Sequence, residues 1–106
     1  MAKYLITGGY TATGIKGVIG EGGSSRRDAV ARLAQSVGGS LESFYWTFGT
    51  DDFHVIVDLP SPEAAAAVAM TVGASGGATA RTTVLLTAEQ VDAAAKLSPS
   101  YRAPGG

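Results

Sequence analysis

The chain contains no cysteine and a single histidine, His54. Without thiols there is no disulfide, no thiolate nucleophile and no zinc–thiolate site, as is usual for a protein of a reducing compartment. With one histidine, a multi-histidine metal centre cannot be built within one chain, and no metal site is expected. Charge is also scarce: 16% of the 106 residues are charged, and the formal net charge is −1. No basic block is present, so the electrostatic footprint of a nucleic-acid binder is missing and no nucleic acid is expected as a partner. No run approaches the roughly 20 apolar residues that span a bilayer, which excludes a membrane helix. The start, Lys3-Tyr4-Leu5-Ile6-Thr7, enters a strand pattern at once and does not read as a signal peptide. A cytoplasmic protein is the expectation.

What is present is a well-patterned apolar chain, 45% hydrophobic and long enough for one core. Its organising stretch is Gly39–Pro60, GSLESFYWTFGTDDFHVIVDLP. Two apolar runs, Leu41–Phe48 and Phe53–Leu59, flank the polar break Gly49-Thr50-Asp51-Asp52 and read as a β-hairpin. Strand alternation puts Phe44, Trp46 and Phe48 on one face of the first run, with Leu41 and Tyr45 on the other. In the second run Phe53, Val55, Val57 and Leu59 oppose His54, Ile56 and Asp58. Apolar groups thus occupy both faces of the hairpin. One face can be covered by helices of the same chain, and a second copy is the simplest cover for the other.

Around the hairpin the elements alternate. Lys3–Tyr10 reads as a strand that Gly8-Gly9 should weaken or bulge. Thr11–Gly23 carries so many glycines that only one or two loose helical turns are expected. A firm helix follows, with Ser25 and Asp28 as a capping box and Val30, Leu33, Ala34 and Val37 as its apolar stripe. Gly38-Gly39 ends it. Ser61-Pro62-Glu63 starts an alanine-rich helix, Thr79–Leu86 is a fourth strand, and Thr87-Ala88-Glu89-Gln90 caps a last helix ending at Lys96 or Leu97. The order βαββαβ with an added C-terminal helix predicts an α+β, ferredoxin-like sandwich with a four-stranded antiparallel sheet. The domain is expected to span residues 1–97, with 98–106 as a flexible proline- and glycine-rich tail.

Several segments in this order resemble the GYD domain family. They are Lys3-Tyr4-Leu5, the Gly-Gly before Arg26-Arg27-x-Ala29-Val30, and Gly38-Gly39-x-Leu41-Glu42-x-Phe44-Tyr45-x-x-Phe48-Gly49. Val55-Ile56-Val57-Asp58-Leu59-Pro60 and Thr82-Thr83-Val84-Leu85-Leu86-Thr87-Ala88-Glu89-Gln90-Val91 complete the set. The resemblance runs from Lys3 to about Leu97. It implies small bacterial and archaeal proteins of the dimeric α/β-barrel type, with no established activity. The Gly, Tyr and Asp of the family name fall in the hairpin turn. Here Gly49 and Asp52 match, and Asp51 stands where a tyrosine would be expected.

The candidate sites are few. Gly9-x-x-x-x-Gly14 lacks the lysine and hydroxyl that a phosphate loop requires at its end. Arg26-Arg27, near a helix start, could hold a carboxylate or phosphate, or serve only as a solvated face. His54, the one imidazole, could be a general base or a ligand contact, or a structural histidine at an interface or strand edge. Residues expected near a ligand pocket are Tyr10, Arg27, Tyr45, Trp46, Asp52 and His54. The leading expectation is a domain that self-associates through its sheet, as a homodimer or larger homo-oligomer, and holds a small apolar or acidic molecule without a cofactor. The alternatives are an enzyme of monooxygenase or isomerase type and a purely structural assembly module. The enzyme would use His54 as base and Tyr45 or Tyr10 as donor, or, in a haem-binding variant, His54 as axial ligand.

Overall fold

A computed structural model describes residues 1–106. Two strands, β2 (Ser40–Trp46) and β3 (Phe53–Leu59), form the hairpin, and β1 (Ala2–Tyr10) and β4 (Ala78–Leu85) complete one antiparallel sheet in the order β2-β3-β1-β4. Three helices connect them: α1 (Ala12–Glu21), α2 (Gly23–Ser36) and α3 (Pro62–Ala74). A fourth, α4 (Ala88–Ala95), follows β4. This is the α+β ferredoxin-like arrangement that the order of elements predicts.

The helix-facing side of the sheet carries Tyr4 and Ile6 from β1 and Phe53, Val55, Val57 and Leu59 from β3, all buried. Ala34 of α2 and Ala64, Ala65 and Val68 of α3 close over them. Alanines let α3 lie close to the strands, and Ser61 caps it by accepting the Ala64 N–H at 3.1 Å. The α2 stripe falls as expected, with Val30, Leu33 and Val37 packed on the core. That helix ends where Gly38 turns at φ 85° and Gly39 N–H donates to Ala34 O at 2.9 Å.

Several expectations are corrected by the structure. The ladder does not weaken at Gly8-Gly9: β1 pairs without interruption through Gly8 to β3 and through Tyr10 to β4. A Cβ on Gly8 would lie 1.9 Å from Thr79 O, so glycine here permits close strand approach. Leu41 does not share a face with Tyr45. A bulge between Leu41 and Ser43 sets Leu41 opposite Val57 and Phe44 opposite Val55, so both pack on the core. The extra residue resets the alternation. Phe48 leaves the strand altogether, at φ 46° in the loop, and is 59% exposed.

The glycine-rich stretch after β1 is a helix of ten residues, α1, and not a loose turn. Thr11 caps it by accepting Gly14 N–H at 3.1 Å, and Thr11 N–H donates to Gly77 O at 3.0 Å. These fixed ends offset the cost of the glycines. Ser25 and Asp28 form no capping box, because α2 begins earlier: Gly22, at φ 84°, turns the chain directly from α1 into Gly23. By contrast, the Thr87–Gln90 capping box at α4 is complete, with bonds of 2.8 and 3.2 Å. Yet α4 contains no buried residue.

Candidate functional site

The two faces of the sheet separate the sequence-expected site residues into different places. Tyr10 ends β1 on the helix side, its ring tilted against Phe53 with centroids 5.2 Å apart. Trp46 stacks on Phe44 at 4.0 Å and donates its indole N–H to the Tyr10 hydroxyl at 2.9 Å. Asp52, the last residue of the hairpin loop, accepts Tyr10 N–H at 2.9 Å, and its own N–H donates to Gly8 O at 2.7 Å. Tyr10, Trp46 and Asp52 are therefore brought together, with Asp52 clamping the loop to the end of β1.

His54 and Tyr45 are neighbours on the opposite, open side. The cross-strand row there is Tyr45, His54, Thr7 and Arg81. Nδ1 of His54 is buried and has no hydrogen-bond partner. Arg81 approaches Thr7 Oγ1 at 3.5 Å and donates to both carboxylate oxygens of Asp51 at 2.8 and 2.9 Å. Asp51 thus latches the hairpin loop to β4. Further along, Lys3 pairs with Asp58 at 3.0 Å and with Glu42. Between these charged rows lie Leu5 and Ile56, half-buried. Arg27 stands apart from all of them, exposed and 3.5 Å from its neighbour Asp28. No group of three or more His, Asp or Glu side chains lies close enough to hold a metal ion.

The helix side holds a cavity of about 390 Å³ between the sheet and α1, α2 and α3, within the size range of small-molecule sites. Its walls include Ile6, Phe44, Phe53, Val55 and Val68, and the α1 wall is Gly14, Gly17 and Val18. Gly17 leaves the space unfilled, since a Cβ there would meet nothing within 4 Å. Polar groups are few: Tyr10, Glu21, Arg26, Thr71 and Ser75. Arg26 faces Glu21 at 3.7 Å, partly exposed, so the pair is weak and the guanidinium can change partner. The Tyr10 oxygen accepts from Trp46, which leaves its own proton free to donate.

The sequence pointed to Arg27 as the arginine near a ligand, whereas Arg26 lines the cavity. A signal for Arg26 was available: Arg26, Val30, Leu33 and Val37 recur at helical spacing on one face. The cavity itself was not legible, because it depends on α1 being a helix.

Burial pushes the Tyr10 phenol above its ordinary value, while the Trp46 hydrogen bond and the Arg26 charge pull it down less strongly. A raised folded-state value means that Tyr10 favours folding fully below about pH 10 and loses that contribution as pH rises through the folded value. Lys3, raised by its bonds to Glu42 and Asp58, adds a dependence of the same sign. The denaturation midpoint is therefore expected to fall above about pH 10, and less steeply in Tyr10→Phe, which keeps only the Lys3 share. Absorbance titration should show a late-ionising phenol that is missing from Tyr10→Phe. Identical alkaline slopes for both proteins would contradict this.

No helix is long and apolar enough to cross a membrane. Comparison with the curated proteins and with the solved structures returned no match. The GYD domain family model matches residues 4–95, from β1 through the whole of α4. With hairpin, sheet order and helix positions all inside that match, the chain belongs to the GYD domain family.

Proposed function

We propose that this GYD domain is a binding module that holds a small, mainly apolar molecule with one acidic group in the helix-side cavity. What supports the reading is the composition of that cavity: aliphatic and aromatic walls, with the Tyr10 hydroxyl and Arg26 among its few polar groups. An apolar body gains by leaving water. A carboxylate or phenolate at its end gains a charge-assisted bond from Arg26 and a second bond from Tyr10. Glu21, the present partner of Arg26, would be displaced into solvent.

The domain also self-associates, in this reading, through the open face of its sheet. Leu5, Ile56 and Tyr45 are apolar there, and the charges beside them, Lys3 with Asp58 and Arg81 with Asp51, are already paired within the chain. Such a face can be covered without burying an unpaired charge. The enzyme alternative with His54 as base keeps Tyr45 beside it on the open side but loses Tyr10, which lies on the helix side of the sheet with the cavity. The cavity therefore has no histidine in its lining.

The test is titration with decanoate and 1-naphthoate, and with their methyl esters, followed by chemical-shift changes and melting temperature. The acids are expected to bind more tightly than the esters. Arg26→Ala should weaken acid binding about tenfold, equivalent to about 1.4 kcal/mol, and leave ester binding unchanged. Gly17→Leu should fill the cavity and abolish both while the fold remains. Equal binding of acids to the wild type and to Gly17→Leu would overturn the cavity as the site.

A further inference from the structure

The two charges that line the cavity are placed against the helices that carry them. Glu21 is the last residue of α1. Arg26 closes the first turn of α2, its N–H donating to Gly22 O at 3.2 Å. A helix favours a cation at its C-terminus and an anion at its N-terminus. Here each end holds the other sign, with no basic residue in the last turn of α1 and no acidic residue in the first turn of α2. The reverse order, arginine and then glutamate, would give the same ion pair and suit both helices. Helix stability therefore does not account for the order present.

The pair itself is loose. Arg26 Nη1 and Glu21 Oε1 lie 3.7 Å apart, with each side chain 37% exposed, and that separation is beyond hydrogen-bond reach. A ligand that inserts between them has no hydrogen bond to break. The turn at Gly22, φ 84°, holds the two backbones in place, with Gly22 N–H donating to Val18 O at 2.8 Å. Tyr10 belongs to the same group, because its phenol feels both charges. Its oxygen already accepts from Trp46, so what it offers a ligand is its proton.

We infer that Glu21 and Arg26 together select a zwitterion, an apolar molecule whose carboxylate has an ammonium beside it, as in an apolar α-amino acid. This rests on the cavity reading above and defines the polar end of the ligand. The balance of charge favours this class. A simple acid takes Arg26 and leaves Glu21 without a partner, beside a second carboxylate that repels it. A simple amine takes Glu21, leaves Arg26 unpaired and makes no use of the Tyr10 proton. A zwitterion satisfies all three groups: Arg26 and Tyr10 bind its carboxylate and Glu21 binds its ammonium, through charge-assisted bonds. The helix ends act in the same sense, since the α2 N-terminus favours the carboxylate and the α1 C-terminus the ammonium. Val30, Phe44, Val55 and Val68 then face the apolar side chain.

The matched pair 2-aminodecanoate and decanoate, which differ only in the ammonium, tests this by calorimetric titration of the full chain at neutral pH. The wild type is expected to bind 2-aminodecanoate at least about fivefold more tightly than decanoate. Glu21→Gln keeps the shape of the side chain and removes its charge. It should weaken 2-aminodecanoate about tenfold, the loss of one charge-assisted bond, while decanoate binds at least as tightly as before. A wild type that prefers decanoate overturns the selection, as does a preference that Glu21→Gln leaves unchanged. Equal weakening of both ligands in Glu21→Gln also overturns it, because Glu21 would then only position Arg26. Each of these outcomes leaves the cavity reading intact. If Gly17→Leu binds both ligands as the wild type does, the cavity reading fails and the selection fails with it.

Discussion

Gly14→Ala should destabilise the domain by about 3 kcal/mol, the cost of overpacking plus a broken hydrogen bond. A Cβ at this position would sit 1.8 Å from Gly77 O and 2.7 Å from its carbon. Both are backbone atoms and cannot rotate aside. Gly77 O also accepts the Thr11 N–H at 3.0 Å, and Thr11 Oγ1 donates to Gly76 O at 2.9 Å. Moving α1 away to make room would break these bonds at the very end that caps the helix. The same helix supplies its own control. A Cβ on Gly20 would meet nothing within 4 Å, so Gly20→Ala should stabilise by about 0.5–1 kcal/mol through lower chain entropy in the unfolded state. Urea midpoints of the two variants should thus move in opposite directions. A Gly14→Ala protein as stable as the wild type would mean that α1 does not dock at Gly77, and the cavity wall would be lost with it.

Gly14 also shows why part of the molecule was hidden in the sequence. Counted one by one, the glycines of Thr11–Gly23 argue against a helix, and each does cost stability. What outweighs them is tertiary: a cap at Thr11, a backbone contact at Gly77 and a turn at Gly22 that only positive φ allows. None of these can be read from local spacing. The hairpin, the order of elements along the chain and the Ser61 and Thr87 caps were legible, because each is marked by residues a few positions apart. Leu41 falls on the wrong face for a related reason. Strict alternation holds only until a residue is inserted, and nothing around Glu42 announces the bulge. For the site, the aromatic cluster of Tyr10 and Trp46 was legible as residue types, but its separation from His54 required the sheet register. Arg26 could have been preferred to Arg27 on helical spacing alone, had the stripe been extended one turn toward the N-terminus.

Phe53→Ala is expected to cost about 3–5 kcal/mol, the range for truncating a buried phenylalanine, out of a total that for such domains is about 5–15 kcal/mol. Phe53 is 5% exposed and stands where three features meet. Its ring is tilted against Tyr10 at 5.2 Å and against Phe44 at 6.3 Å, and it also forms part of the cavity wall. Removing it deletes apolar contact on all three sides, and the surrounding strands cannot collapse into the gap. Its backbone pairs with Trp46 on β2 and with Gly8 on β1, which holds the site open. Phe53→Leu should lose only about 1 kcal/mol, since most of the volume is retained. The functional consequence separates the two variants further. Phe53→Leu should keep the preference for acids over esters, because Tyr10 and Arg26 remain in place. Phe53→Ala should weaken binding of both, because Tyr10 loses the ring that fixes its orientation and the enlarged cavity no longer fits a small apolar body. Equilibrium denaturation together with the ligand titration checks both parts. A loss below about 1.5 kcal/mol in Phe53→Ala would mean that this end of the sheet closes on itself, and the cavity would then not be the rigid site described above.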